Sequence, residues 1–256
     1  MKYAMQDGDS AVKTANILGV SFDNVTLTEA VDAAMEQIRA GKKGYVVTPN
    51  PEIVYQTLED PVFRDIVNRA SFVLPDGIGI IYAARILGVP LSGKVPGIDF
   101  ADALMYRMSK EGMRLFLLGA KPGVAEQAAQ NLKKKYPGLV IAGTQDGYFQ
   151  DDQQAIDAVK AAGGADVMFT CLGAPKQERF MAGHMQELPV TLSCGLGGSL
   201  DVFADTVARA PELFIRLNLE WFYRLCKQPS RLGRMMKLPL FLLIVIKTRL
   251  FGGKHA

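Results

Sequence analysis

The polar residues of this sequence that could bind a ligand or do chemistry come directly after short apolar runs. Thr48 and Asn50 follow the run YVV, and Asp76 follows FVLP. Apolar runs of this length are typical of buried strands. A hydroxyl, an amide and a carboxylate at the ends of two such strands are candidates for binding and for catalysis.

Glycine-rich loops follow three further apolar runs. Glycine lets backbone N–H groups approach a phosphate closely, and the helix N-terminus that follows such a loop favours an anion. We therefore expect a nucleotide or another phosphorylated substrate, although no loop carries a complete Walker A or GxGxxG pattern. The loops contain Gly119 and Gly123, the residues from Gly173 to Gln177, and the residues from Gly195 to Asp201.

Two of the polar residues also have a purely structural interpretation. Asn50 stands before Pro51, which is the typical pattern of a helix N-cap followed by proline at the first helical position. Asp76 could cap the helix predicted for GIGIIYAARIL. The sequence alone leaves both interpretations open.

The elements that must position these residues alternate between strands and helices. An amphipathic helix is predicted after Thr26, which forms a capping-box pattern with Glu29 and is followed by a glycine stop at Gly41. Continuous apolar strands separated by helices predict an α/β fold, a Rossmann-like and largely parallel sheet with helices on both faces. The predicted strands are 15–22, 45–49, 72–75, 114–119, 139–143, 166–173 and 190–195.

Composition narrows the classes of protein. The three cysteines, Cys171, Cys194 and Cys226, show neither metal-ligand spacing nor a disulfide framework, and there are 2 histidines, so no metal site is expected. The N-terminal segment lacks the apolar core of a signal peptide, so we expect a cytosolic location.

Charge divides the chain into an acidic body and a basic C-terminal part. From Arg209 onward there are 10 Lys/Arg against 2 Asp/Glu, and before it 19 against 24. We therefore predict a core at 1–208 and a basic amphipathic helical appendage at 209–256. The appendage lacks the patterns of nucleic-acid modules, and its cations alternate with apolar residues, which favours an anionic membrane surface.

The apolar run LPLFLLIVI at 238–246 is too short to cross a bilayer, which takes about 20 residues. Its flanking cations, Lys237, Lys247 and Arg249, indicate a segment lying in the headgroup region. An amphipathic helix that closes the core is the alternative. A membrane-facing surface could also be masked by self-association, so homo-oligomers away from the membrane are expected under the first interpretation.

Seven motifs in order resemble the WecG/TagA/CpsF family of bacterial glycosyltransferases, over about 17–237. They are TPNPEIV, LPDGIGI, KVPGIDF, FLLGAKPGVAEQAAQNL, GTQDGYF, LGAPKQERFM and EWFYRLCKQPSRLGR. The resemblance implies inverting transfer from a UDP-sugar to a polyprenyl-diphosphate-linked sugar on the inner face of the cell membrane. The most similar branch transfers N-acetylmannosamine from UDP-ManNAc to undecaprenyl-diphosphate-linked GlcNAc, in synthesis of the wall teichoic acid linkage unit.

The resemblance also implies residue roles. Asp76 matches the catalytic base and Thr48 a second catalytic residue, while Lys94 stands where the family commonly has arginine, which removes a bidentate contact. The spacing of seven and three residues places the three matching arginines on one helix face, where they would hold the acceptor diphosphate. The implied donor-binding residues are Asn50, Lys94, Gly147, Tyr148, Gly173, Gln177 and Asp201, and the acceptor-binding residues are Arg224, Arg231 and Arg234.

Several alternatives stay open. Within the family, the sugar could be glucose or N-acetylmannosaminuronic acid, in exopolysaccharide or enterobacterial antigen assembly. Outside it, the chain could be a membrane-tethered nucleotide-binding protein, or a dinucleotide-dependent oxidoreductase, against which the missing GxGxxG counts. No DxD motif follows a predicted strand, so we expect no metal cofactor.

Overall fold

A six-stranded parallel sheet forms the centre of the computed structural model, which describes residues 14–227 and 237–251. The strand order is β4-β3-β8-β7-β5-β6, and every neighbouring pair is parallel. The Rossmann-like prediction is confirmed. The strands are β1 Thr14–Ile17, β2 Val20–Asp23, β3 Gly44–Val47, β4 Phe72–Val73, β5 Arg114–Gly119, β6 Val140–Gln145, β7 Ala165–Cys171 and β8 Val190–Gly195.

Helices cover both faces of this sheet. The core on one face includes residues of α1, α5, α6 and α9, and the core on the other face includes residues of α2, α3, α4, α7, α8 and α12. The helices are α1 Leu27–Arg39, α2 Pro51–Glu59, α3 Pro61–Asn68, α4 Ile78–Leu87, α5 Gly97–Lys110, α6 Val124–Lys135, α7 Asp152–Ala161, α8 Lys176–His184, α9 Ser199–Phe203, α10 Glu212–Arg216, α11 Glu220–Lys227 and α12 Lys237–Phe251.

The first helix begins and ends as its sequence predicts. The Thr26 side chain accepts a hydrogen bond from the Glu29 backbone N–H, and the Glu29 carboxylate accepts one from the Thr26 N–H at 2.7 Å. Gly41 follows the last turn with φ of 63°, a conformation that glycine adopts without a steric penalty. The capping box and the glycine stop are both confirmed.

The prediction of a single strand at 15–22 is wrong. Leu18 and Gly19 have φ of 52° and 89°, and they form a two-residue turn between the antiparallel strands β1 and β2. Positive φ at both central positions matches the twist of a tight hairpin. The Asp23 carboxylate at the end of β2 then accepts the Val73 N–H at 2.7 Å, so the hairpin is bonded to the edge strand β4.

The C-terminal helix α12 packs against α2 and α4. Phe241 and Val245 are fully buried in the core of that face, and the Arg249 guanidinium donates to the carbonyl of Leu87 at the end of α4. The outward side is also apolar, with Leu243 62% exposed. The run therefore closes the core with one side and presents apolar surface with the other.

Further exposed apolar side chains lie in the same part of the chain. Within the two described ranges, no helix combines the length and hydropathy needed to cross a membrane. The exposed apolar residues of the appendage are Leu213, Leu217, Leu219, Trp221, Phe222, Leu240, Leu243, Ile246, Leu250 and Phe251.

Candidate active site

A crevice opens where β3 and β8 lie side by side. Helix α2, which follows β3, packs on one face of the sheet, whereas α9, which follows β8, packs on the other. Loops that leave neighbouring strands toward opposite faces separate at the carboxyl edge, and ligands bind in the gap. A cavity of about 250 Å³ occupies this position.

Residues from three strand ends and from the appendage surround the cavity. Asn50, Asp76 and Lys94, all predicted from the sequence, are among them, and they come from distant parts of the chain. The full lining is Asn50, Pro51, Glu52, Asp76, Gly77, Ile78, Gly79, Lys94, Pro96, Gly97, Ile98, Leu196, Gly198, Ser199, Asn218, Glu220, Trp221 and Leu238.

Asp76 lies just before the first turn of α4 and outside the cap position. The helix begins at Ile78, and its N-cap is Gly77, which has φ of 87° and no side chain to cap with. The Asp76 N–H donates to the Pro49 carbonyl at 3.2 Å, which connects the ends of β3 and β4. Gly77 therefore holds the cap position that the sequence offered to Asp76, and the half-buried Asp76 borders the cavity.

Asn50 has the structural role considered for it, and it also lines the cavity. Its Oδ1 accepts the Ile53 N–H at 3.0 Å, so Asn50 is the N-cap of α2 with Pro51 in the first turn. In the part of the chain that the structure describes, its Nδ2 has no hydrogen-bond partner. One side chain thus starts a helix and keeps a donor for a ligand in the cavity.

Thr48 lies behind the cavity lining. It is buried, and its hydroxyl donates to the Gly195 carbonyl at 3.1 Å, which joins the carboxyl ends of β3 and β8. A Cβ added to Gly97, which does line the cavity, would lie 3.1 Å from the Thr48 hydroxyl oxygen. Thr48 therefore supports the floor of the cavity through Gly97 in this conformation.

Lys94 connects the core to the appendage. Its Nζ donates to Oδ1 of Asn218 at 2.7 Å, and Asn218 has φ of 58° in the turn before α11. Glu220 and Trp221, at the start of α11, line the same cavity. The appendage thus supplies part of the candidate site. Asn218 was not among the site residues predicted from the sequence.

The other predicted donor residues lie along the same edge of the sheet, beyond the cavity lining. Tyr148 is exposed in the loop after β6, and the Gly147 carbonyl accepts from Lys176 Nζ at 3.4 Å. Gly173 has φ of 76° in the loop before α8, and Asp201 lies in the first turn of α9. The cavity lies at the ends of β4, β3 and β8, and these loops follow β8, β7 and β6 at the same carboxyl edge of the sheet.

Gln177 is buried and braces the loop after β8. Its Oε1 accepts the Gly197 N–H at 3.0 Å, and its Nε2 donates to the neighbouring Glu178 carboxylate at 2.8 Å. Burial raises the pKa of the Glu178 carboxyl. Sequence reasoning missed Glu178, because a glutamate in the first turn of a helix is ordinarily an exposed residue that suits the helix dipole.

The predicted acceptor-binding arginines fall mostly beyond the description. Arg224 lies in α11, four residues after Glu220, and Arg231 and Arg234 lie outside the described residues.

Across 14–227 and 237–251, no three His, Cys, Asp or Glu side chains are grouped as they would be to hold a metal ion.

A parallel α/β sheet with a polar crevice at its carboxyl edge defines a Rossmann-like ligand-binding protein. The sequence matches the glycosyl transferase WecG/TagA/CpsF family over residues 15–255. The chain belongs to this family, which disfavours an oxidoreductase or a protein that only binds nucleotides.

Curated relatives cover most of the chain. It is 37% identical over 237 residues to a Bacillus subtilis (strain 168) protein, with 92% of each chain covered, and 37% identical over 206 residues to one from Bacillus spizizenii, with 80% of each covered. A Staphylococcus aureus (strain MW2) protein is 33% identical over 237 residues, covering 91% of this chain and 92% of the relative. Each is named N-acetylglucosaminyldiphosphoundecaprenol N-acetyl-beta-D-mannosaminyltransferase.

Proposed function

We propose that this protein transfers N-acetylmannosamine from UDP-ManNAc to undecaprenyl-diphosphate-linked GlcNAc, the linkage-unit step of wall teichoic acid synthesis. The names of the relatives support the substrates. The single observation that carries the chemistry is the position of Asp76, whose carboxylate borders the cavity while Gly77 occupies the cap position.

In the proposed reaction Asp76 is the general base. The acceptor hydroxyl oxygen forms a bond to the anomeric carbon while Asp76 takes the hydroxyl proton, and the bond from that carbon to the UDP oxygen breaks with its electron pair leaving on UDP. Attack from the side opposite UDP inverts the anomeric centre. Lys94 Nζ and Asn50 Nδ2, both at the cavity, are the donors available to stabilise the developing charge on the diphosphate.

We assign the uridine end of the donor to the loops beyond the cavity. Gly173 has positive φ, and a Cβ added to it would meet nothing within 4 Å, so its backbone borders open space. Tyr148 and Asp201 complete this proposed subsite, whereas the buried Gln177 acts on the donor site through the Gly197 N–H that it holds. The reaction is metal-independent in this proposal, because cations of the chain offset the charge of the diphosphates.

The appendage, residues 209–256, serves the acceptor and the membrane in this account. Arg224, Arg231 and Arg234 bind the acceptor diphosphate through charge-assisted hydrogen bonds. The exposed apolar sides of α10, α11 and α12 lie in the headgroup region of the inner leaflet, so the enzyme is peripheral on the cell membrane. Away from the membrane, the same surface favours homo-oligomers.

The test of this function is Asp76→Asn, assayed by UDP release with EDTA present. The amide cannot accept the proton, so we expect a loss of about 100-fold to 10,000-fold in kcat. The melting temperature is expected to stay the same, because the near-isosteric amide keeps the volume of the side chain and an oxygen that can accept a hydrogen bond, and because Gly77 is the N-cap of α4.

The matched control is Asp60→Asn, since Asp60 is a true N-cap that accepts the Phe63 N–H. An amide preserves that bond and gives up only a partly exposed ion pair with Arg179, which contributes little, so transfer should continue at the native rate. Near-native turnover in Asp76→Asn would contradict the proposed base. Activity that EDTA removes and magnesium or manganese restores would contradict metal independence.

A further inference from the structure

A buried carboxylate outside the proposed mechanism lies in the first turn of α8. Glu178 is 1% exposed. Its Oε1 accepts from Gln177 Nε2 at 2.8 Å, while its Oε2 has no hydrogen-bond partner in the described chain. A buried polar atom without a partner is uncommon and is unfavourable for folding, so a fold that retains one calls for an explanation.

The Glu178 carboxylate is not paired with a cation in the part of the chain that the structure describes. On β3, the Tyr45 hydroxyl donates to the Ile66 carbonyl. Burial raises the pKa of Tyr45 to about 12, with smaller effects from Arg69, which lowers it, and from Glu178, which raises it. No lysine, arginine or histidine within the described ranges forms an ion pair with Glu178. The group is therefore unfavourable for stability, as expected for a carboxyl taken from water without a cation.

The bond that Glu178 does make determines the orientation of Gln177. A side-chain amide has an oxygen end that accepts and a nitrogen end that donates. Because the Glu178 oxygen accepts, it requires the nitrogen end of Gln177, and the oxygen end is then directed at the Gly197 N–H, 3.0 Å away. Gly197 has φ of 54° in the loop between β8 and α9, where Leu196, Gly198 and Ser199 line the cavity.

We propose that Glu178 is a positioning residue, which orients the Gln177 amide so that it holds the Gly197 N–H and fixes the cavity loop at 196–199. The chain of contacts runs from α8, after β7, to the loop after β8, so it connects the buried start of α8 to one wall of the crevice. The inference rests on the proposed function in one respect, namely that this cavity receives the UDP-sugar.

The experiment compares two near-isosteric variants. Glu178→Met keeps the volume and removes the acceptor, whereas Glu178→Gln keeps a carbonyl oxygen that can accept from Gln177. UDP is the binding probe. Its binding is followed by the fluorescence of Trp221, which is the single tryptophan of the sequence and lines the cavity.

For Glu178→Met we expect UDP affinity to fall and the donor KM to rise, each by roughly threefold to tenfold, the range of one hydrogen bond. Its melting temperature should change little, because the substitution removes the unpartnered Oε2 but leaves the buried Gln177 Nε2 without its acceptor. Glu178→Gln should restore UDP affinity and KM to within about twofold of the native values, since it keeps the one hydrogen bond on which the argument depends.

Stability against pH gives a second readout. Because burial raises the pKa of Glu178, the folded state keeps its proton at pH values where the unfolded chain has released it, and stability falls as pH rises above 4.5. The gain in melting temperature from Glu178→Gln should therefore grow over that range. The matched control Glu187→Gln, at an exposed carboxylate paired with Lys160, should show no such growth.

Hydrogen exchange separates this inference from the donor assignment. Exchange in peptides covering 196–199 should speed up in Glu178→Met and stay native-like in Glu178→Gln, whether or not nucleotide binds. If the native protein bound no UDP, the donor assignment would fail and exchange would still test the positioning. Native-like exchange in Glu178→Met, or equal impairment in both variants, would overturn the proposal.

Discussion

Replacing Phe241 with alanine tests how the C-terminal helix packs. Phe241 is fully buried against α2 and α4, and Val245 is fully buried one turn later on the same side of α12. Truncating a buried phenylalanine typically costs about 3 to 5 kcal/mol. Because α12 lies at the surface of the domain and its neighbours can relax into the space left by the ring, we expect the free energy of unfolding to fall by about 3 kcal/mol.

The assay is urea denaturation followed by far-UV circular dichroism and, separately, by Trp221 fluorescence, with extrapolation to zero urea. The matched control on the same helix is Leu243→Ala, whose side chain is 62% exposed. Its stability should stay within about 0.5 kcal/mol of native.

The exposed residue should instead affect membrane binding. Leu243→Ala removes about 1 kcal/mol of apolar contact with lipid, so its partitioning onto anionic vesicles should fall roughly fivefold.

For Phe241→Ala, a loss of unfolding free energy below about 1 kcal/mol, with an unchanged slope against urea, would refute the packing described for α12. Point variants are cleaner than truncation before α12, because truncation would uncover core surface and remove Leu238 from the cavity.

Two further predictions concern the cations around the site. The triple replacement of Arg224, Arg231 and Arg234 by alanine should weaken the binding of a short, water-soluble lipid-diphosphate acceptor, with each lost contact contributing about 1.5 to 3 kcal/mol. The affinity for UDP should stay native. Full activity of this variant on that acceptor would contradict the assignment of the three arginines. Asn218→Ala should raise the donor KM about tenfold by releasing Lys94 from its 2.7 Å bond, and Lys94→Ala alone should raise it at least as much. An unchanged donor KM in Asn218→Ala would mean that Asn218 does not position Lys94.

Much of the sheet could be predicted because its signals are local. The strands β5 and β8 coincide with the predicted runs 114–119 and 190–195, since β5 has a continuous apolar run and β8 alternates apolar residues with small hydroxyl residues before a glycine. The hairpin was missed because the turn at Leu18 and Gly19 interrupts no apolar pattern: leucine fills a left-handed turn position there.

The site was predicted only in part, because some of its contacts depend on tertiary packing. Asp76, Asn50 and Lys94 could be found from strand ends and motifs, and all three line the cavity. The burial of Glu178 and the bond from Asn218 to Lys94 depend on which segments meet in three dimensions. The residue types at Glu178 and Asn218 do not predict the burial of the one or the hydrogen bond of the other.

The central claim is most directly tested by following UDP release from the native protein with a short-chain lipid-diphosphate-GlcNAc acceptor and a panel of UDP-sugars. We predict release that requires the acceptor, is fastest with UDP-ManNAc, continues in EDTA, and is lost in Asp76→Asn. Release with UDP-glucose or UDP-N-acetylmannosaminuronic acid in preference to UDP-ManNAc would contradict the proposed donor. The absence of acceptor-dependent release with every donor would contradict the proposed transfer itself.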